Sequence, residues 1–266
     1  MNRTWPMIVL VALGLPGWLI SSAFNTIISP TGMAIGLLFV AIELVAGILL
    51  FRAGPLWPSA GKLYVASCLV WGSLMSLVLV FPASLAWMSI TDKLGWDIVA
   101  ASFSGGYPEE IAKAAGVLVI LYAFRKLNRP WHGFVTGGLV GLGFEVNENL
   151  MYGSMGATMD PNSDAEGALM MWGMRLMAGP GLHIVLSALA GWGVGLALFR
   201  TKSLVALWWV GLAFVLHFLW NLMIPHETAL IGHYVVMSLL IYPTFIWVYI
   251  RAVKMKKSDN SYVLLV

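Results

Sequence analysis

Charge is what this chain has least of. Of its 266 residues only 10% are charged, against 60% that are hydrophobic, and a soluble domain of that size would have no place for so much apolar surface. A separate soluble catalytic domain is excluded too, because membrane helices use up about 20 apolar residues per crossing and so consume the whole chain. Cysteine is down to one, Cys68, which excludes an internal disulfide and any CxxC-type metal site. There is no GxSxG, which argues against serine chemistry, and no HExxH, the most familiar zinc-protease motif. A repeat of about 20 to 50 residues is also missing. The formal charge of +3 would suggest nucleic acid in a soluble protein. In a membrane protein basic residues are topological anchors, and no nucleic-acid partner is expected.

What the chain does have is apolar runs. Segments long enough to span occur at about 7–27, 33–51, 64–89, 108–125, 132–152, 172–199, 203–223 and 230–251, separated by stretches rich in turn formers or charge. The fold expected is an all-α polytopic membrane protein, a bundle of about eight transmembrane helices. It forms one integral membrane domain over 1–252, followed by a short basic cytoplasmic tail over 253–266. The basic start, apolar stretch and small residues of "MNRTWPMIVLVALGLPGWLISSAF" also fit a signal peptide, but a signal anchor accounts better for the orientation of the helices that follow. With the N-terminus inside, the cytoplasmic segments hold Arg3, Arg52, Lys62, Arg125, Lys126, Arg129, Arg200, Lys202, Arg251, Lys254, Lys256 and Lys257, which is 12 of the 15 basic residues. One wrong crossing would scramble that pattern, so both termini are expected inside, in a multi-pass protein of the cytoplasmic membrane. "DPNSDAE", from Asp160, lacks the glycine and distal glutamate of a calcium loop. Gly133, Gly137 and Gly141 stand four apart, the small-residue spacing that lets membrane helices approach closely.

Ionisable groups inside spans are costly and usually face a partner or a hydrated cavity. The fourth span carries Glu109, Glu110 and Lys113. The fifth, in "GFEVNENLMY", carries Glu145, Asn147, Glu148 and Asn149. The sixth carries Arg175 and His183, and the seventh, in "HFLWN", His217 and Asn221. The "PEEIAK" stretch has an ordinary reading as a helix start: Pro108 suits the first turn, carboxylates there complement the dipole, and Glu109 can pair with Lys113 one turn on. The alternating directions of the spans, however, bring all four clusters to similar heights, within about 10 to 15 Å of the outer surface. A shared hydrated cavity open to the extracytoplasmic side explains that coincidence.

Carboxylates and histidines around water, with an amide donor nearby, are the parts of a hydrolase. A carboxylate takes a proton from water, histidine holds the water or shuttles its proton, and Asn steadies the oxyanion. Glu, His and His can also make a zinc site with an open position, so the cofactor is either none or a divalent metal such as zinc. "EEIAK", "GFEVNEN", Arg175 with His183 eight residues later, and "HFLWN" resemble the PrsW family of intramembrane proteases, over about 108–222. They are similar, more distantly, to the CAAX-processing endopeptidases and the scaffold subunit of γ-secretase. The resemblance implies an intramembrane peptidase acting on a membrane-anchored protein, for example an anti-sigma factor, with Glu109 and Glu110 as catalytic carboxylates. Carried over from the CAAX relatives, it makes Glu109 the general base, has His183 or Glu148 hold water, and gives the oxyanion to His217 and Asn221. Lys113, Glu145, Asn149 and Arg175 support them. The CAAX group has a histidine where this chain has Glu148 and Asn149. Two other classes compete: a non-enzymatic scaffold or chaperone with a structural polar cluster, and a proton-coupled transporter, for which Glu43 is the one deep acid in the inner half.

Overall fold

The computed structural model describes residues 4–200 and 203–261; Arg3 and Lys202, counted above among the inner basic residues, lie outside the described residues. Within them the chain is helical with no strand: α1 (Thr4–Ile28), α2 (Pro30–Ala53), α3 (Lys62–Val70), α4 (Ser76–Leu94), α5 (Asp97–Ala101), α6 (Tyr107–Ala123), α7 (Pro130–Met159), α8 (Asp164–Ala178), α9 (Leu182–Phe199), α10 (Leu204–Trp220) and α11 (Glu227–Lys257). Five stretches among the described residues are long and apolar enough to cross a membrane: Ile8–Ile28, Pro30–Ala53, Lys62–Leu94, Asp164–Phe199 and Glu227–Lys257. The helices α6 and α10 have 17 residues each and fall just short in length. The 30-residue α7 is long enough, but its glycines and the polar run from Glu145 to Asn149 lower its hydropathy.

The centre of the bundle is the pair α7 and α9. Gly133, Gly137 and Gly141 face α9 so closely that a Cβ on them would lie 2.2 Å from Gly191 O, 2.0 Å from Ser187 O and 2.2 Å from His183 O. Backbone meets backbone along this seam, which is what small residues four apart permit. Trp131, Phe134, Leu139, Leu142, Leu186, Leu189 and Trp192 fill the space around it and are wholly buried. The lipid-facing shell is the reverse: only 6% of the most apolar window of α2 is buried, and only 11% of that of α11. Large side chains such as Ile27, Leu50 and Tyr122 stand exposed there, as a bilayer requires and water would not tolerate.

Two π-helical turns and one break depart from plain helices, and all three bear on the polar cluster. Trp71–Met75 joins α3 to α4 as a π-helical turn, and Trp71 reaches from it to donate its indole N–H to Ala112 O on α6 at 2.9 Å. Ser102–Gly106 joins α5 to α6 in the same way, so the "PEE" stretch continues a helical run and is not the free helix start expected from its composition. Pro108 brings no N–H to the carbonyl four residues back, and that oxygen, on Ser104, accepts the Ser84 hydroxyl at 2.5 Å. The break lies at Gly179–Gly181. The sixth expected span, 172–199, is thus two helices, because Pro180 cannot continue α8 and Gly181 takes the left-handed φ of 67° that favours glycine. On the far side of the chain, Arg129 Nε donates to Asp259 Oδ2 at 2.7 Å and fastens the residues after α11 to the α6–α7 turn.

Candidate active site

Each charged group in the cluster is held by the helix geometry around it. Glu109, Glu110 and Lys113 lie on consecutive turns of α6, and Glu110 and Lys113 have no exposed surface. The Lys113 ammonium reaches Glu110 Oε1 at 2.7 Å, Glu109 Oε2 at 3.6 Å and His183 Nδ1 at 2.9 Å, and it sits 4.5 Å over the Phe144 ring. Glu109 Oε2 also lies 3.6 Å from His183 Nδ1 and 3.9 Å from His217 Nε2, and it accepts no hydrogen bond from a protein group. The two imidazoles meet edge to face with centroids 5.0 Å apart.

The outer nitrogens of the histidines fix their tautomers. His217 Nδ1 lies 2.9 Å from Glu110 Oε1, which already accepts from Lys113, so the ring donates from Nδ1 and keeps its lone pair on Nε2. His183 Nε2 lies 2.8 Å from Glu148 Oε2 while Nδ1 faces an ammonium that can only donate, so this ring donates from Nε2. Each imidazole therefore turns a lone pair toward Glu109 and hands its N–H to a second carboxylate, the arrangement that orients metal-binding histidines. Glu109, His183 and His217 each offer one ligand atom, all within 4.8 Å of one another and all buried. Two neutral imidazole nitrogens and a carboxylate oxygen suit a divalent ion with one position open.

Behind them runs a second tier. The break after α8 places His183 in the first turn of α9, where its backbone N–H has no partner four residues back, and Glu145 Oε2 accepts it at 2.8 Å. Arg175, before the break on α8, donates through Nη2 to Glu148 Oε2 and through Nε to Asn149 Oδ1 at 2.7 Å, and its guanidinium lies 4.7 Å over the Tyr152 ring. Asn221, just past the end of α10, is brought in less tightly. Its Nδ2 has a 3.5 Å contact with Ala101 O, and a Cβ on Gly105 would sit 3.0 Å from that nitrogen and 3.2 Å from Glu109 Oε1. Nine of the ten residues expected from the sequence are thus linked in one network, with Glu109, Glu110, Lys113, Glu148, His183 and His217 at its centre, and Asn221 lies beside it without a bond to the others.

Three further neighbours border the cluster, and only Glu43 among them was marked in the sequence. Phe144 stacks against His183 at 4.8 Å between centroids, and nothing in its context marked it. Gly105, in "SGG", lies against the Glu109 carboxylate, and that string reads only as a turn. Glu43 accepts from Asn149 Nδ2 at 3.1 Å, and its one signal was being an acid deep in an apolar span.

Comparison with curated proteins and with solved structures gave no match. A family model described as "PrsW family intramembrane metalloprotease" matches residues 61–248, a stretch running from the start of α3 through most of α11 and including the whole cluster except Glu43. With most of its length matched, the chain belongs to the PrsW family of intramembrane metalloproteases.

Proposed function

We propose that the protein is a metal-dependent endopeptidase that hydrolyses a peptide bond of a membrane-anchored protein near its extracytoplasmic face. One observation carries the reading: three buried ligand atoms from three helices converge, and both histidines among them are backed by carboxylates. A polar cluster that serves only as scaffold satisfies its own atoms. Here Glu109 Oε2 and Glu110 Oε2 accept no hydrogen bond from the protein. Glu43, the deep acid that a transport path would use, is bonded into the same network through Asn149.

A divalent metal such as zinc, held by Glu109, His183 and His217, would supply Lewis acidity and lower the pKa of water. Glu109 is the general base: its Oε1 faces the Gly105 side of the site beside the Asn221 amide, where a proton from attacking water can be accepted. Asn221 Nδ2, with only its long contact to Ala101 O, donates to the oxyanion. His217 cannot share that donation while its Nδ1–H is given to Glu110, because Nε2 then carries the lone pair, so it belongs with the ligand set. Glu148 holds the His183 ring instead of water, and Arg175 and Asn149 hold Glu148. Lys113 balances the carboxylates in a low-dielectric place, and its ammonium, 2.9 Å from His183 Nδ1, would have to give up that nitrogen to a bound ion.

The same reading takes the bundle as eight crossings with both termini inside the cytoplasmic membrane, one integral domain over 1–252 and a basic tail over 253–266. It is supported by the 12 of 15 basic residues that fall on one side. Its substrate is a membrane-spanning protein, and a single-pass anti-sigma factor is the kind the resemblance implies.

The test is metal removal. Protein purified into lipid nanodiscs is expected to lose cleavage of a panel of single-pass substrates on treatment with a strong chelator and to recover it with added zinc. His183→Ala and His217→Ala should each abolish stoichiometric metal by elemental analysis while keeping a cooperative melt. Full cleavage by protein shown to be metal-free would sink the metal-dependent reading.

A further inference from the structure

Glu43 stands on α2, outside the family match and outside the helices that carry the catalytic groups. An acid in so apolar and so lipid-exposed a helix costs a few kcal/mol on insertion scales, and such residues usually have a specific partner. We propose that Glu43 is a positioning residue for the hydrolytic site, acting through the side-chain amide of Asn149 on Arg175, Glu148 and His183.

The direction in which the Asn149 amide faces decides how it holds Arg175. Asn149 Nδ2 lies 3.1 Å and 3.4 Å from the two carboxylate oxygens of Glu43, and its Oδ1 accepts from Arg175 Nε at 2.7 Å. The two ends of an amide have nearly the same shape, so packing alone does not choose between them. Two partners choose together: the Glu43 carboxylate accepts from Nδ2 on the α2 side, and the Arg175 guanidinium, a donor only, donates to Oδ1 on the other. Arg175 then has two fixed anchors on α7, Asn149 through Nε and Glu148 through Nη2. The Glu148 oxygen that takes Arg175 is the one that takes His183 Nε2–H at 2.8 Å. Without Glu43 the amide is held from the Arg175 side alone, and Nδ2 loses its partner on α2. The orientation of Glu148, and with it the tautomer and tilt of His183, would loosen.

The other side of Glu43 borders a cavity of about 520 Å³ that it shares with Leu50, Leu176, Pro180, Gly181 and Ile184. A changed side chain at position 43 therefore has room, and its effect can be read without repacking the core.

This inference rests on the hydrolytic reading of the site, and the experiment separates the two. Wild type, Asn149→Asp, Glu43→Gln and the double variant are prepared in nanodiscs. Each is measured for kcat and KM on a single-pass substrate and for the ring ¹⁵N shifts of His183, which need no substrate. Asn149→Asp sets two carboxylates against each other and should lower kcat roughly ten- to a hundredfold with KM held. Glu43→Gln alone keeps an acceptor for Asn149 and should cost no more than about threefold. In the double variant the amide and the carboxylate have changed places: the amide now on α2 donates to the carboxylate now on α7, which still accepts from Arg175. There kcat should return to within about threefold of wild type. The His183 ¹⁵N pattern should shift in Asn149→Asp and return in the double variant. Losses that simply multiply, with no rescue and no return of the ¹⁵N pattern, overturn the proposal. If no protein cleaves, wild type included, the hydrolytic reading fails while the ¹⁵N series still decides the role of Glu43. Should Asn149→Asp fail to fold, Glu43→Ala takes its place: a lower kcat that Glu43→Gln does not share supports the proposal, and a kcat equal to wild type overturns it.

Discussion

Glu109→Gln is expected to cut cleavage of a single-pass substrate by about a hundred- to ten-thousandfold, the range for loss of a positioned general base, while Glu110→Gln should cost only about ten- to a hundredfold. The two glutamates are neighbours in sequence, alike in apolar context and both buried, so composition offers no way to rank them. Their partners do. Glu110 Oε1 is taken by Lys113 at 2.7 Å and by His217 Nδ1 at 2.9 Å, which makes it the carboxylate that fixes a ring. Glu109 Oε2 looks onto both imidazole lone pairs and has no hydrogen-bond donor of its own. A glutamine at 110 can still accept the His217 N–H through its carbonyl, whereas a glutamine at 109 can neither take up a proton nor bind a cation well. Metal content separates the variants further, since Glu109→Gln removes a ligand and Glu110→Gln only loosens one. Equal losses in the two variants would dissolve this division of labour, and a worse loss at 110 would reverse it.

The second large effect is expected where there is no side chain at all. Gly141→Ala should destabilise the bundle by about 1 to 3 kcal/mol, as overpacking does, and should also lower the cleavage rate on the order of a hundredfold, the cost of about 1 Å of misplacement at a reacting group. The added methyl would fall 2.2 Å from His183 O and 2.7 Å from His183 C. Those are backbone atoms that cannot swing aside, so the strain is delivered to the residue whose ring the site depends on. Gly137→Ala, which meets Ser187 O at 2.0 Å one turn further along, should match it in stability and fall short of it in lost activity. Gly211→Ala and Gly232→Ala, with nothing within 4 Å, serve as controls and should leave both unchanged. Thermal melts in nanodiscs beside cleavage rates check the set. A Gly141→Ala protein that behaves like Gly232→Ala would show that the seam does not set the position of His183.

Much of this site was legible because membrane chemistry makes polarity expensive: in a chain this apolar, "EEIAK", "GFEVNEN" and "HFLWN" stand out, and alternating helix directions already bring them to one height. The pairing was not legible. Which glutamate backs which histidine depends on helix rotation, and neither the three- and four-residue spacings nor the order of motifs encodes that across helices. The break between Arg175 and His183 was signalled by Gly179, Pro180 and Gly181, but the apolar run over 172–199 outweighed that punctuation. Glu43 was visible as a lone deep acid but not as part of the cluster, because its partner Asn149 lies 106 residues away and on another helix. The ordinary explanation of "PEE" as a capped helix start failed for a local reason, the π-helical turn at Ser102–Gly106 that makes α5 and α6 one run.

The break at Gly179–Gly181 also bears on how deep the proposed chemistry would lie. Unbroken, the 36 residues from Asp164 to Phe199 would form a rod of about 54 Å, far longer than a hydrocarbon core of about 30 Å. The 18 residues of α9 alone measure about 27 Å and match that thickness. Taken as a full crossing, α9 would put His183, its second residue, where hydrocarbon gives way to headgroups and not at the midplane. A substrate helix must unwind to expose a peptide bond, and bare amides are tolerated only where they find partners. At this boundary the opened strand can trade its lost internal hydrogen bonds for water.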